Sequence, residues 1–287
     1  AKLGLRSEYS SAITQWNLSP RLAMAYRIST HWTSSLAYGI FYQNPDQKYF
    51  GRNSLHNQKA EHYILQVQKS TDGRSFRLEA FYKNYSDLIK TKILNQRPVA
   101  INNNGDGFAK GIEVFWRDKK SLKNIDYWVS YSYLDSKRNF QYYDQSLFPN
   151  FAAKHTLSVV AKKFVTDWKT GFNLSYKYAS GRPFYNFQTD NNGEYYLMSQ
   201  GTLKNYNALN FSLNYLPNLG KKEAKAFTIL VLSVNNILQQ KNIYGFQFSK
   251  DGLRSKAVLP SVSTFVFIGA FINFGIDRTQ DVINSNL

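Results

Sequence analysis

The 287-residue sequence contains no cysteine, only seven prolines and only two methionines. The absence of cysteine excludes a disulfide framework and a thiolate metal site. No stretch approaches the roughly 20 consecutive apolar residues of a transmembrane helix, because even the most apolar run, residues 226–234, contains Thr228 and Ser233. A helical membrane protein is therefore excluded. A β-barrel is not, because barrel strands need to be apolar on one face only.

Acidic residues are also scarce, with 19 Asp plus Glu against 36 Lys plus Arg and a net charge of +17. Such a balance favours a polyanionic neighbour, either nucleic acid or an anionic membrane surface. The basic residues lie in connections such as 117–120 and 221–222 and singly along the predicted strands, not on one stripe. This distribution argues against nucleic acid and favours a membrane surface.

Aromatic residues are abundant, with 21 Tyr, 21 Phe and 5 Trp, and such enrichment is typical of β-strands. Apolar and polar residues alternate in segments of about ten residues, the length with which a tilted strand crosses a bilayer. No segment has a helical period. The pattern predicts twelve strands, at residues 1–9, 18–28, 31–42, 59–70, 75–86, 107–117, 124–135, 153–163, 168–179, 204–216, 225–236 and 260–275.

The connections between these strands differ systematically in length. Short connections are predicted at 29–30, 71–74, 118–123, 164–167 and 217–224. They alternate with mostly longer ones at 10–17, 43–58, 87–106, 136–152, 180–203 and 237–259. Outer-membrane barrels have this arrangement, with short periplasmic turns and long extracellular loops. A soluble β-sandwich, which remains an alternative, has no reason to sort its loops in this way.

The two faces of the predicted strands differ in polarity. In segment 168–179, Phe172, Leu174 and Tyr176 alternate with Asn173 and Lys177. Charged side chains must meet water or each other, because an unpaired charge in an apolar interior is prohibitively costly. One face is therefore apolar, and the other lines a wet interior.

The tryptophans indicate where the membrane interface lies. Trp32, Trp116 and Trp168 each stand at a predicted strand end beside a short turn, on the apolar parity, which predicts an interfacial aromatic girdle. Trp128 shares its parity with polar residues and does not fit this pattern. The predicted fold is all-β, an antiparallel up-and-down transmembrane β-barrel over residues 1–276, followed by a polar tail over 277–287. The twelve strands would be part of a larger barrel with a periplasmic C-terminus.

Chemistry-bearing residues form no recognisable catalytic or metal-binding pattern. His31, His56, His62 and His155 lack metal-ligand spacing, and no nucleophile motif accompanies the serines near them. The oxygen-rich run 102–107 lacks the spaced carboxylates of a calcium loop and is interpreted as a loop that precedes a strand. We therefore expect neither an enzyme nor a cofactor or metal site.

Recognition is expected on the long loops, where a rigid scaffold commonly presents binding residues. Aromatic faces beside an arginine suit sugars or anionic chelates, although they could also pack on one another or meet the outer lipid interface. The candidate substrate-facing residues are Tyr142, Tyr143, Arg182, Phe184, Tyr185, Tyr195 and Tyr196.

Several segments, in order along the chain, resemble TonB-dependent outer-membrane receptors of the kind found in Bacteroidetes. They are the "sPRlalsY"-like residues 18–26, "a.YG..f..P"-like 36–45, the strand opening 58–63, "G.a.GiE"-like 107–113, "sGrPy"-like 180–184, "v.NlfN"-like 234–238 and the aromatic terminal signal 269–274. Two features depart from the family pattern, namely the polar tail and Phe267, which stands where a polar residue is usual.

This resemblance implies energy-coupled import of a nutrient such as an iron chelate, vitamin or glycan across the bacterial outer membrane. The expected partners are outer-membrane lipid with lipopolysaccharide, and TonB. Nothing in the sequence resembles the family's TonB-engaging motif or plug. The first residues do not form a charged-then-apolar leader, so we expect any secretion signal to have been removed or to lie outside this chain. We therefore expect either the last part of a larger barrel or a genuinely small one. A self-contained passive pore or adhesin-type barrel is the alternative function.

Overall fold

The computed structural model describes residues 1–49, 55–94, 97–221 and 226–274. These residues are mostly strand, with one short 3₁₀ helix at Gln47–Tyr49. Within these ranges, no helix is long and apolar enough to cross a membrane. The strands are β1 (Lys2–Ser10), β2 (Gln15–Arg27), β3 (Trp32–Gln43), β4 (Gln58–Thr71), β5 (Arg74–Leu94), β6 (Arg97–Asp118), β7 (Ile125–Asn139), β8 (His155–Val165), β9 (Thr170–Ala179), β10 (Pro183–Thr189), β11 (Tyr195–Thr202), β12 (Tyr206–Tyr215), β13 (Ala226–Asn235), β14 (Gly245–Phe248), β15 (Ser255–Val258) and β16 (Phe265–Phe274).

Twelve of these strands form one antiparallel sheet in the order β1-β2-β3-β4-β5-β6-β7-β8-β9-β12-β13-β16. The predicted twelve-stranded up-and-down arrangement is confirmed, because each strand pairs with its predecessor in the predicted series. The four remaining strands form two separate hairpins, β10–β11 and β14–β15. Within the described residues, β1 and β16 each pair with a single neighbour in the sheet.

The connection between β5 and β6 differs most from the prediction. The segment 87–106 was predicted as a loop, but the two strands continue through most of it and pair as far as Leu94 and Arg97. The interpretation of 102–107 as a loop is also wrong, because these residues lie inside β6. The ladder shifts register three times between Tyr85 and Thr91. Such bulges break the two-residue period, so the strand leaves no regular alternation in the sequence.

The connection between β1 and β2 is also shorter than predicted. A long connection was expected at 10–17, but β1 pairs with β2 as far as Ser10 and Gln15, which leaves a turn of residues 11–14. The rings of Tyr9 and Trp16 contact each other across the two strands, with centroids 5.1 Å apart. This contact extends the ladder to the turn. Because the first connection is therefore short, the predicted alternation of short and long connections fails there.

A row of aromatic rings crosses the apolar face near the short turns. Trp32 contacts Phe76 at 6.2 Å between ring centroids, and Phe76 contacts Trp116 at 6.3 Å. Trp32 and Trp116 therefore lie at one level of the sheet. Trp168 lies in the turn before β9 and not in a strand as predicted, with its ring 6.0 Å from Phe172.

A second aromatic row lies nearer the long connections on the same face. Tyr38, Tyr63 and Tyr82 are cross-strand neighbours on β3, β4 and β5, with ring centroids 5.0 and 6.2 Å apart. Tyr38 follows Trp32 by six residues, which corresponds to about 20 Å along a strand. Both rows therefore lie on the apolar face, one near the short turns and the other nearer the long connections.

The polar face accounts for the tryptophan that did not fit the girdle. The ring of Trp128 lies between two cations, 5.6 Å from the guanidinium of Arg117 and 5.4 Å from the amine of Lys162. Arg117 also donates to Asp126, with 2.9 Å between Nε and Oδ1. Trp128 thus belongs to a cation–π and ion-pair network on the polar side of the sheet.

The predicted boundary between barrel and polar tail at residues 276 and 277 lies outside the described residues. The last described strand ends at Phe274, and β16 pairs with β13 along its whole length.

Candidate functional site

The long connections interlock at one end of the sheet. The loop assembly comprises the β5–β6 extension (87–106), the connection 140–154 and the hairpins β10–β11 and β14–β15. The main-chain N–H of Ile93 donates to the carbonyl of Gly193 at 2.8 Å, and Lys92 pairs with Glu194 at 3.6 Å. The N–H of Thr91 donates to the carbonyl of Gln141 at 3.0 Å. These contacts join the β5–β6 extension to both neighbouring segments.

An aromatic cluster forms the core of this assembly. Tyr143 is only 1% exposed, and its ring contacts Phe140, Tyr142, Tyr185 and Phe187 at centroid distances of 5.1 to 5.6 Å. Burial raises the pKa of Tyr143 to about 12, because an apolar environment disfavours the phenolate. Tyr143 therefore holds the loops together, and its ring is not available to a ligand in this conformation.

Most of the other candidate residues also pack within the assembly. Tyr195 contacts Tyr142 at 5.7 Å, and the hydroxyl of Tyr185 donates to the carbonyl of Phe148 at 2.8 Å. Tyr196, in contrast, is 47% exposed. The structure thus joins Tyr142, Tyr143, Tyr185 and Tyr195 in one cluster and leaves Tyr196 open to solvent.

Arg182 and Phe184 connect the two hairpins. Phe184 packs against Phe246 with ring centroids 4.8 Å apart. The Nη2 group of Arg182 donates to the carbonyl of Tyr244 at 2.7 Å. Sequence reasoning selected Arg182 and Phe184 but missed their partners, because those partners lie about sixty residues away along the chain.

A pocket of about 230 Å³ lies where these segments meet the sheet, beside the ends of β9 and β12. Arg182, Lys204, Tyr206 and Tyr244 line it together with apolar residues. Only Arg182 was selected from the sequence. Three segments that are separate along the chain build the pocket, so no local motif could have revealed it.

The oxygen-rich run in β6 has a structural role. Asn103 is 5% exposed, and its Nδ2 donates to the carbonyls of His56 at 3.0 Å and Asp87 at 2.8 Å. Its Oδ1 accepts from the main-chain N–H of His56 at 3.2 Å. The buried amide therefore joins two connections. Among the described residues, no group of three or more His, Cys, Asp or Glu side chains could hold a metal ion.

The histidines near serines do not form a catalytic pair. The Nδ1 of His155 lies 2.8 Å from the hydroxyl of Tyr131, while the hydroxyl of Ser180 accepts from the main-chain N–H of His155. The ring of His62 packs on Phe41 with centroids 4.6 Å apart. A Ser–His nucleophile needs the imidazole on the hydroxyl, and neither histidine provides that contact.

Comparisons with known proteins agree with this architecture. The family described as "TonB dependent receptor-like, beta-barrel" matches residues 1–237. No curated protein sequence matches the chain. The outer membrane transporter YddB from Escherichia coli is similar in structure, with a TM-score of 0.71, 12% identity, and 94% of this chain and 43% of that chain covered.

Two further solved structures are similar at low sequence identity. A mutant of the ferric enterobactin receptor PfeA from Pseudomonas aeruginosa, in complex with enterobactin, has a TM-score of 0.68 at 14% identity, with 94% of this chain and 43% of that chain covered. The FrpB iron transporter from Neisseria meningitidis has a TM-score of 0.65 at 15% identity, with 89% and 39% covered. The chain therefore spans about two fifths of the length of these proteins.

Proposed function

We propose that this chain, which belongs to the TonB-dependent receptor-like β-barrel family, forms the wall and outer loops of a receptor for energy-coupled nutrient uptake. It is an outer-membrane protein. The family match over residues 1–237 carries the proposal, and the consecutive antiparallel order of the twelve strands supports it.

The two faces of the sheet fit this role. The apolar face, with its tryptophan and tyrosine rows, would contact lipid, and Trp32, Trp116 and Trp168 would mark the interface at the short-turn end. The polar face, which carries Arg117, Lys162 and Trp128, would line the interior. The barrel would extend over residues 1–276, with a polar tail at 277–287.

The loop assembly would face the outside of the cell and contact the imported ligand. Of the candidate residues, Tyr196 and Arg182 are best placed for contact, and the packed tyrosines would act as their scaffold. The similar proteins include an iron transporter and a ferric enterobactin receptor by their names. A nutrient such as an iron chelate, vitamin or glycan is the proposed ligand class.

The further partners follow from the same proposal. Energy would be relayed through TonB, by parts of the whole protein that lie outside this chain. Lipopolysaccharide would surround the outer rim, where its phosphates would meet basic side chains of the loop assembly. A Bacteroidetes-type origin stays a prediction. No catalytic step is proposed, because the family comprises receptors and transporters and not enzymes.

A strain comparison tests the proposal against a passive pore. The natural full-length gene is deleted from its host, and growth is compared on limiting iron chelates, vitamins and glycans. The gene is then restored in strains with and without TonB. We expect restored growth only where TonB is present. Restored growth in both strains would show a passive pore and overturn the proposal.

A further inference from the structure

The pocket beside β9 and β12 combines two cationic side chains with no acidic one. Arg182 and Lys204 both line it, together with the phenols of Tyr206 and Tyr244. None of the described residues that line it is Asp or Glu. Two cations that share a pocket without a carboxylate create a positive potential that attracts an anion.

The donor groups in this pocket are largely free. One guanidinium nitrogen of Arg182 donates to the Tyr244 carbonyl at 2.7 Å, which fixes the side chain across the pocket. Within the part of the chain that the structure describes, Lys204 forms no side-chain hydrogen bond or ion pair, and neither does the hydroxyl of Tyr206. A fixed guanidinium retains further N–H donors in a planar fork that suits a carboxylate or phosphate.

The remaining walls add an apolar component. Leu203 and Ile243 line the pocket beside the tyrosine rings. Its volume of about 230 Å³ is below the range of roughly 300 to 1,000 Å³ that is usual for drug-sized ligands. The pocket therefore suits a small molecule, or the charged end of a larger one.

We propose that this pocket binds an organic anion, with its carboxylate or phosphate group between Arg182 and Lys204 and its apolar part against Leu203 and Ile243. The inference deepens the proposed receptor function, because it assigns a place and a charge to the ligand. Binding is expected to weaken at high ionic strength, because both cations remain partly open to screening ions.

Fluorine NMR on the natural full-length protein in detergent tests this site. The carboxylate probe is 4-(trifluoromethyl)benzoate, the phosphate probe is 4-(trifluoromethyl)phenyl phosphate, and the neutral control is 4-(trifluoromethyl)benzamide. We expect at least one anionic probe to broaden and shift at millimolar concentration while the amide does not. Equal binding of the amide, or no binding of either anion, would overturn the proposal.

Two variants and a matched control locate the binding. Lys204→Gln is expected to weaken binding of the anionic probe about tenfold, as befits the loss of one charge-assisted contact. Arg182→Gln should weaken binding to a similar extent. Because this variant also removes the hydrogen bond to the Tyr244 carbonyl, it could loosen the loops. In that case the result for Lys204→Gln decides the outcome. Lys250→Gln, an exposed lysine in the β14–β15 turn, should change nothing. An unchanged affinity in Lys204→Gln would overturn the site.

The outcome is independent of the uptake experiment. The binding measurement needs neither TonB nor an energised membrane. If the anions do not bind but growth depends on TonB, only the pocket proposal fails. If the anions bind but growth does not depend on TonB, only the proposed receptor function fails.

Discussion

Ile93 and Gly193 are joined by a main-chain hydrogen bond of 2.8 Å, which fastens the end of β5 to the turn of the β10–β11 hairpin. Gly193 has a φ of +79°, and a Cβ atom placed there would lie 1.9 Å from the carbonyl oxygen of Ile93. Only glycine allows this close approach.

Gly193→Ala should therefore detach the β5–β6 extension from the hairpin. Gly220→Ala is a matched control, because Gly220 has a φ of +76° and its added Cβ would meet nothing within 4 Å. Both variants carry the cost of a left-handed alanine, and Gly193→Ala should lose roughly 1 to 3 kcal/mol more through steric overlap. Hydrogen exchange of residues 89–94 measures the difference, and equal protection in the two variants would contradict the contact.

Tyr143→Ala should open the loop assembly and leave the twelve-stranded sheet intact. Removal of a fully packed aromatic ring costs about 3 to 5 kcal/mol, and Tyr143 is 1% exposed. Limited proteolysis of the connection 140–154 reports the opening. Tyr196→Ala is the control, because its exposed ring should contribute less than about 0.5 kcal/mol. Equal cleavage of the two variants would show that Tyr143 is not the core of the cluster.

The loop assembly should weaken at alkaline pH. Burial raises the pKa of Tyr143 to about 12, above the ordinary value of about 10. The opened loop therefore loses its phenol proton at lower pH than the packed loop. The contribution of the packed, neutral Tyr143 to the stability of the loop assembly is fully present below about pH 10. It falls by about 3 kcal/mol as the pH rises towards about 12.

The Tyr143→Phe variant isolates this titration. Burial also raises the pKa of Tyr142, Tyr185 and Tyr195, so the total phenolate absorbance contains several late transitions. The difference between the parent protein and Tyr143→Phe should contain a single tyrosine that ionises well above pH 10. A difference curve with an ordinary midpoint would contradict the burial of Tyr143.

Tryptophan fluorescence should separate the two faces of the sheet. In liposomes, with the other tryptophans replaced by phenylalanine, Trp32 and Trp116 should be quenched by brominated lipid. Trp128 lies between Arg117 and Lys162 and should instead be quenched by aqueous iodide, which the two cations attract. Lipid quenching of Trp128 would place it on the opposite face.

The order of the twelve strands could be predicted from the sequence, because each strand pairs with its predecessor and alternation repeats in every segment. The strand ends were less predictable. The ladder between β5 and β6 shifts register between Tyr85 and Thr91, and the two-residue period is lost there. The contact of Tyr9 with Trp16 extends β1 and β2, although the sequence pattern predicts a connection at residues 10–17.

Local periodicity therefore determined the fold class, the two faces and the alternation of most connections, because a strand records its environment every second residue. The tertiary structure alone decided the arrangement of the loops. Burial of Tyr143, the Ile93–Gly193 bond and the pocket shared by Arg182 and Lys204 all join residues distant in sequence. Such contacts depend on how the sheet positions its connections, and no short stretch of sequence encodes that geometry.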